Sequence, residues 1–242
     1  MRIISEVDTL TIICAMEKEA EAILGRLEEA FSTPDKKFTT GRLKGEDVVV
    51  AVCSPGKVNA AICATEMILE YGLPTCMLNL GVVGGLVEEY RQGDIVLPFA
   101  FIQSDVDTTA VGDPPGYISG LGVTKFITSR KMLGLKTALT LKMSSKARVF
   151  IADLCATADR FLGMYEQKQA VRDQWKASIC DMEAGAIAQV CSIAGIPFLA
   201  AKVVSDTLHG DAKEYEDTIP HAAVSLADIA EIAADLSKSG RW

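Results

Sequence analysis

Acidic residues recur where apolar runs give way to polar turns. Glu19 follows the run at 10–14, Asp159 follows a run that ends near Asp153, Asp181 and Glu183 close the run at 178–181, and Asp206 follows the run at 198–204. In α/β folds, ligands gather beyond the carboxyl ends of strands. Acids at four such ends therefore point to proton transfer and to the binding of hydroxyl groups. Each acid taken alone also suits a helix cap or a first-turn position, where a carboxylate accepts free backbone N–H groups.

Other chemistries fit the residues less well. His209 and His221 are the only histidines, and neither stands near a tight cysteine pair, so no metal site is expected. There is no Gly-x-Ser-x-Gly elbow, and neither histidine stands at a strand end beside a cysteine, which argues against a serine triad or a cysteine nucleophile. The cluster Gly81-Val82-Val83-Gly84-Gly85 is neither a dinucleotide fingerprint nor a Walker motif. It reads equally as a close backbone turn and as a set of amides for a ribose or an anion. What remains is acid–base work by carboxylates, with no cofactor.

The elements that must hold these acids alternate between strand and helix. Runs at 10–14, 76–80, 94–102, 148–152, 178–181 and 198–204 are rich in apolar and β-branched residues and read as strands, Pro98 requiring an edge or a bulge. Two further strands at 38–43 and 48–53 flank Lys44-Gly45-Glu46-Asp47, a hairpin turn. Helical spacing covers 16–31, 57–71, 129–140, 159–175, 183–194 and 221–237. The segment 104–122, with Asp113-Pro114-Pro115-Gly116, is a long irregular excursion of the kind that often carries function. This order predicts an α/β chain built on a central mixed sheet sandwiched by helices.

Composition bounds the rest. The chain has 242 residues, is 49% hydrophobic and carries a net charge of −8. That is enough apolar sequence for a sizeable core and excludes a disordered chain. With no Lys/Arg-rich block, nucleic-acid binding is not expected. The site motifs spread from Glu19 to Asp206, so residues 1–242 read as a single domain. The seven cysteines are odd in number and widely spaced in apolar runs, which predicts reduced, buried thiols and a cytoplasmic location. Arg2 is followed by Glu6 and Asp8 with no long apolar region before Met16, so no signal peptide is expected. No run reaches transmembrane length, and no membrane partner is expected.

Five segments, taken together, carry a family resemblance: Ala15-Met16-Glu17-Lys18-Glu19, Gly56-Lys57-Val58-Asn59-Ala60, Asn79 to Leu86, Asp181-Met182-Glu183-Ala184 and Val204-Ser205-Asp206. In this order the chain resembles the nucleoside phosphorylase and nucleosidase family, in its bacterial 5'-methylthioadenosine/S-adenosylhomocysteine nucleosidase branch, over almost its whole length. The resemblance implies a three-layer α/β sandwich whose central mixed sheet curls partly into a barrel, and a homodimer. It implies hydrolysis of the N-glycosidic bond of a purine nucleoside with release of adenine. By motif, Asp206 is expected to protonate the leaving purine at N7, with Ser205 orienting it. Glu19 is expected to activate the attacking water and Glu183 to bind the ribose hydroxyls. Met182 would pack on the sugar and Phe161 on the base, with the backbone of Phe161 and Leu162 reading the base edge. Met16, Gly84 and Asp181 complete the expected substrate contacts.

Within that family the nucleophile divides phosphorylases from hydrolases. Phosphorylases bind phosphate with arginines, one of them close to the glycine turn. Here Asn79-Leu80 precedes that turn, and Glu17 and Glu19 stand in the first loop, where an anion would be repelled. Water is the expected nucleophile. The chain departs from the nucleosidase pattern at Val82, where a hydroxyl residue is usual, and at Ser54-Pro55-Gly56, where Pro55 stiffens the wall near the 5'-substituent. Arg160 also enters or flanks the purine site. These departures bear on substrate choice and leave open another purine nucleoside, of futalosine, inosine or adenosine type, with water or phosphate as the nucleophile.

Overall fold

Strands buried on both faces read as continuous apolar runs, and three such strands form the spine of the molecule. The computed structural model describes residues 6–241; Arg2 and the outermost ends of the chain lie outside the described residues. The chain opens with β1 (Glu6–Cys14) and α1 (Glu17–Leu24), then β2 (Glu28–Ser32), β3 (Phe38–Leu43) and β4 (Glu46–Val52). Next come α2 (Lys57–Tyr71), β5 (Leu73–Gly85), β6 (Ile95–Gln103), β7 (Phe126–Ile127) and α3 (Lys131–Met143). The remainder is β8 (Val149–Thr157), α4 (Tyr165–Trp175), β9 (Ile179–Asp181), α5 (Ala184–Ala194), β10 (Phe198–Asp206) and α6 (Ala212–Ser239).

These strands form one mixed sheet in the order β10-β6-β8-β9-β5-β1-β4-β3-β2, with β7 on β6. Because β10 also pairs with β5, the strands β5, β10, β6, β8 and β9 close into a five-stranded ring, while β1, β4, β3 and β2 continue as an open wing. Alternate residues of the spine face opposite layers. Ile12, Leu78 and Val203 pack under α1, α3 and α6, through Ile23, Leu139 and Ile229 among others. Ile13, Met77 and Val204 pack under α2 and α5, through Met67 and Ile187. The fold is thus the expected three-layer sandwich with a mixed, partly barrel-like sheet.

Several elements differ from the sequence reading. The helix expected over 16–31 stops at Leu24, where the Gly25 N–H caps Glu21 O at 2.9 Å. Residues 28–32 instead form an exposed edge strand on β3, a long-range pairing that helical spacing does not register. The helix expected from 159 starts only at Tyr165, because 158–164 forms the loop at the mouth of the ring. The last helix starts nine residues earlier than read, at Ala212 instead of His221. Asp211 caps it by accepting the amides of Lys213 and Glu214, and the helix runs through Pro220 because Thr218, Ile219, Ala222 and Ala223 are buried around the proline. Pro98 falls in β6 level with Ala152 of β8, and on its other side it lies between the stretch paired with β10 and the stretch paired with β7, an unpaired position where a missing N–H is tolerated.

All seven cysteines are free thiols; six are buried and Cys180 is half-buried. Among the described residues, no helix is long and apolar enough to cross a membrane. Nor does any group of His, Cys, Asp and Glu there have the makings of a metal site.

Candidate active site

The acids come together where β1, β5, β9 and β10 end. Parallel pairing with β5 brings β1 and β10 level, Ile13 with Asn79 and Asp206 with Gly84, and antiparallel pairing sets Cys180 of β9 level with Gly84 as well. Glu19 sits in the first turn of α1 and points back over the strand ends. Its Oε2 accepts the N–H groups of Ala15 and Met16, each at 3.0 Å, and its Oε1 accepts the N–H of Val82 at 2.8 Å. Glu19 is therefore both a helix cap and a site residue. A Cβ on residue 81 would lie 2.8 Å from Oε1, so a glycine is needed for this approach. Burial pushes the Glu19 carboxyl above its ordinary range, against the pull of Lys202 and the three amides.

Glu183 stands at the start of α5 and accepts the N–H of Gly56 at 3.0 Å. Burial, and then the neighbouring Asp181, push its carboxyl up to about 7, while Lys202 opposes the shift. Asp181 has both oxygens engaged by the protein. Oδ1 accepts the Thr157 hydroxyl at 2.6 Å, and Oδ2 accepts the Ala184 amide at 3.0 Å and faces the Lys202 ammonium at 3.1 Å. Burial works to lower the Lys202 pKa, but Asp181, Glu183 and Glu19 outweigh it and the net shift is upward.

Asp206 ends β10. Its Oδ1 accepts the Ser205 hydroxyl at 2.7 Å and its Oδ2 accepts the Lys168 ammonium at 2.6 Å. A Cβ on Gly84 would lie 3.2 Å from Oδ2 and 2.9 Å from Cys180 Sγ, so the backbone there must stay bare. Opposite, the Phe161 ring meets the Tyr215 ring edge-on with centroids 5.2 Å apart, and the Tyr215 hydroxyl lies 3.1 Å from Met16 Sδ. Burial, and then Glu19, Glu183 and Asp206, push the Tyr215 phenol up to about 12.

These groups line one cavity of about 110 Å³. Glu19, Glu183, Asp206, Ser205 and Asp181 supply its polar wall, and Met16, Met182, Phe161, Leu162 and Gly84 its apolar and backbone wall. Arg160, Pro55 and Val82 also line it. It shares Ala15, Met16, Pro55 and Tyr215 with a groove of about 870 Å³ that carries Lys18, Lys36 and Lys37 beside Glu17, Asp35 and Glu216. A cavity lined by four acids, two of them with raised pKa, can donate a proton at one end, accept one at the other and bind hydroxyls between.

Asp159 does not join them. It accepts the Lys57 amide at 2.7 Å and so serves the start of α2, not the helix that follows it in the chain. Three residues escaped the sequence reading: Lys168, Lys202 and Tyr215. A lone cation inside the apolar run of β10 was a usable signal for Lys202, since a buried charge demands a partner. Lys168 lies in the polar stretch Glu166-Gln167-Lys168-Gln169 and gives no such signal. Tyr215 precedes the point from which the last helix was read.

The model of the phosphorylase superfamily matches residues 9–235. The chain is 33% identical over 224 residues to a 5'-methylthioadenosine/S-adenosylhomocysteine nucleosidase of Staphylococcus aureus, covering 91% of this chain and 96% of the relative. Its fold superposes on the nucleosidase of that name from Neisseria meningitidis, solved in complex with methylthio-immucillin-A, with a TM-score of 0.86, 29% identity and coverage of 95% and 100%. It also superposes on the futalosine hydrolase of Helicobacter pylori, with a TM-score of 0.84, 25% identity and coverage of 94% and 97%.

Proposed function

This chain belongs to the phosphorylase superfamily, and from that premise we propose that it is an N-ribosyl hydrolase that cleaves 5'-methylthioadenosine and S-adenosylhomocysteine to adenine and the 5-thio-substituted ribose. The observation that carries the reading is the convergence of Glu19, Glu183 and Asp206 on one cavity. Cleavage of an N-glycosidic bond passes through an oxocarbenium-like state. Positive charge builds on the ribose while electrons flow into the purine. Asp206, oriented by Ser205, takes up a proton from solvent as substrate binds and gives it to purine N7 as the C–N bond breaks, which returns it to the carboxylate that Lys168 pairs with. Glu19 accepts a proton from the attacking water. Glu183 binds the 2'- and 3'-hydroxyls, and its carboxylate faces the developing cation. Phe161 and Tyr215 flank the base, Met16 and Met182 the sugar.

Water is favoured over phosphate because the two buried lysines behind the site are already engaged. Lys202 is paired with Asp181 and Lys168 with Asp206. Arg160 lines the cavity beside Phe161 and Leu162, on the base side in this reading. A phosphate near Glu19 would meet carboxylates and no free cation of β5 or β10.

A second reading, in which another purine nucleoside is the substrate, is favoured by the groove that continues past Pro55 and Tyr215. It gives room for a longer 5'-extension, and the likeness to a futalosine hydrolase is in keeping with that. We take residues 1–242 as one domain acting in the cytoplasm, in methionine salvage. We further take the chain as a homodimer that covers the exposed Val58, Ile62 and Leu69 of α2, which sedimentation would test. The function is tested by product analysis on methylthioadenosine, S-adenosylhomocysteine, adenosine, inosine and futalosine, with and without phosphate. Free 5-thioribose and adenine at the same rate in both buffers is the expected result. A ribose 1-phosphate product would overturn hydrolysis, and cleavage of futalosine alone would move the substrate to the second reading.

A further inference from the structure

Lys168 is the one fully buried cation outside β10 among the described residues, and its head group is completely committed. Its ammonium donates to Asp206 Oδ2 at 2.6 Å, to the Thr207 carbonyl at 2.5 Å and to the Gly210 carbonyl at 3.0 Å. Three N–H bonds thus meet three acceptors. The two carbonyls would be served equally well by a neutral donor. A wholly buried ammonium needs a counter-charge, and the carboxylate in contact with it is that of Asp206. With Ser205 on the other oxygen, the carboxylate of Asp206 is gripped at both ends and cannot rotate. Lys168 arrives from α4, whose first turn follows directly on the loop that carries Phe161 and Leu162. The wall beside the base and the grip on Asp206 are therefore one continuous piece of chain.

We propose that Lys168 is a positioning residue for purine departure: it holds Asp206 in the orientation that serves N7 and has no part in sugar binding or water activation. The proposal rests on the role given to Asp206 above. It follows that Lys168 matters only when the leaving group needs a proton.

The test uses the full chain and two substrates, methylthioadenosine and a p-nitrophenyl 5-methylthioriboside, whose leaving group departs as an anion unaided. Lys168→Met is expected to lower kcat on methylthioadenosine by about 10²-fold, at the low end of what general acid catalysis supplies. KM and the rate on the nitrophenyl compound should stay within about threefold. In an Asp206→Asn background, adding Lys168→Met should cost nothing further, because residues that act as a unit are not additive. Equal losses on both substrates, additive losses in the double variant, or an unchanged rate on methylthioadenosine would each overturn the proposal while leaving the hydrolase reading intact. If the unaltered chain cleaves no purine nucleoside, the hydrolase reading fails and the proposal with it. Should Lys168→Met not fold by circular dichroism, Lys168→Arg carries the same comparison. Its planar head cannot meet all three acceptors, so a loss confined to methylthioadenosine is again the expected result and an equal loss on both substrates the contrary one.

Discussion

Lys202 Nζ lies 3.1 Å from Asp181 Oδ2, and each side chain is about 1% exposed. This ion pair sits beneath the cavity, and its cation also acts electrostatically on Glu183 and Glu19. One ammonium thus answers three carboxylates. Removing one partner of a buried pair leaves an uncompensated charge. Lys202→Met is expected to lower unfolding stability by about 3–5 kcal/mol, read as a fall in the urea midpoint. A midpoint shift worth less than about 1 kcal/mol would mean that water reaches the acids and that the pair is not the keystone of the site.

Glu183 makes the protein's behaviour depend on pH. Its carboxyl titrates near 7 in the folded chain, against an ordinary value of 4.5. Between those values the folded state holds a proton that the unfolded state has released. The contribution of this group is therefore fully present below about pH 4.5 and is lost as pH rises through 7, worth up to about 3 kcal/mol. Glu183→Gln should remove that slope, so the stability of the unaltered chain relative to the variant should decline from pH 5 to pH 8. Catalysis should run the other way. In the proposed role, binding ribose hydroxyls and facing a cation, the carboxylate works when ionised, so kcat/KM should rise toward pH 8. A flat difference in stability between the two chains would contradict the assignment.

Asp206→Asn should cost turnover about 10²–10⁴-fold, the usual worth of a general acid. The change is isosteric but puts an amide NH₂ where either the Ser205 hydroxyl or the Lys168 ammonium must be met. Adenine release under saturating substrate is the measurement. A variant that keeps kcat within a few-fold of the parent would remove Asp206 from the role of proton donor.

Glu19→Gln should lose activity to a similar extent and stability as well. Three backbone N–H groups converge on the carboxylate, and a glutamine offers a single acceptor oxygen. At least one buried N–H then faces an NH₂, at a cost of about 1–3 kcal/mol. Thermal unfolding and turnover measured together test this. Full stability with lost turnover would mean that the amides can turn elsewhere.

Gly84→Ala places a methyl group 2.9 Å from Cys180 Sγ and 3.2 Å from Asp206 Oδ2. If Asp206 has its proposed role, a displacement by a fraction of an ångström should reduce kcat about tenfold or more. Adding Cys180→Ala opens space on one side and should restore part of that rate. No recovery in the double variant would show that the contact with Asp206 alone decides the effect.

Much of this protein is set by the local chemistry of its sequence. Buried strands show as apolar runs because both of their faces must leave water, so β1, β5 and β10 are visible as such. Acids just past those runs are visible for the same reason, since a strand end opens to solvent and to ligands. The early end of α1 and the edge strand at Glu28–Ser32 were not visible, because pairing with β3 outweighs a local pattern that suits a helix. The site as an assembly belongs to the tertiary structure. Glu19 and the amide of Val82 are 63 residues apart, and Lys168 and Asp206 are 38 apart. On its own helix Lys168 is one polar residue among several that water could solvate. Only closure of the strand ring, which carries α4 over the end of β10, takes its charge out of water and leaves the carboxylate of Asp206 to answer it.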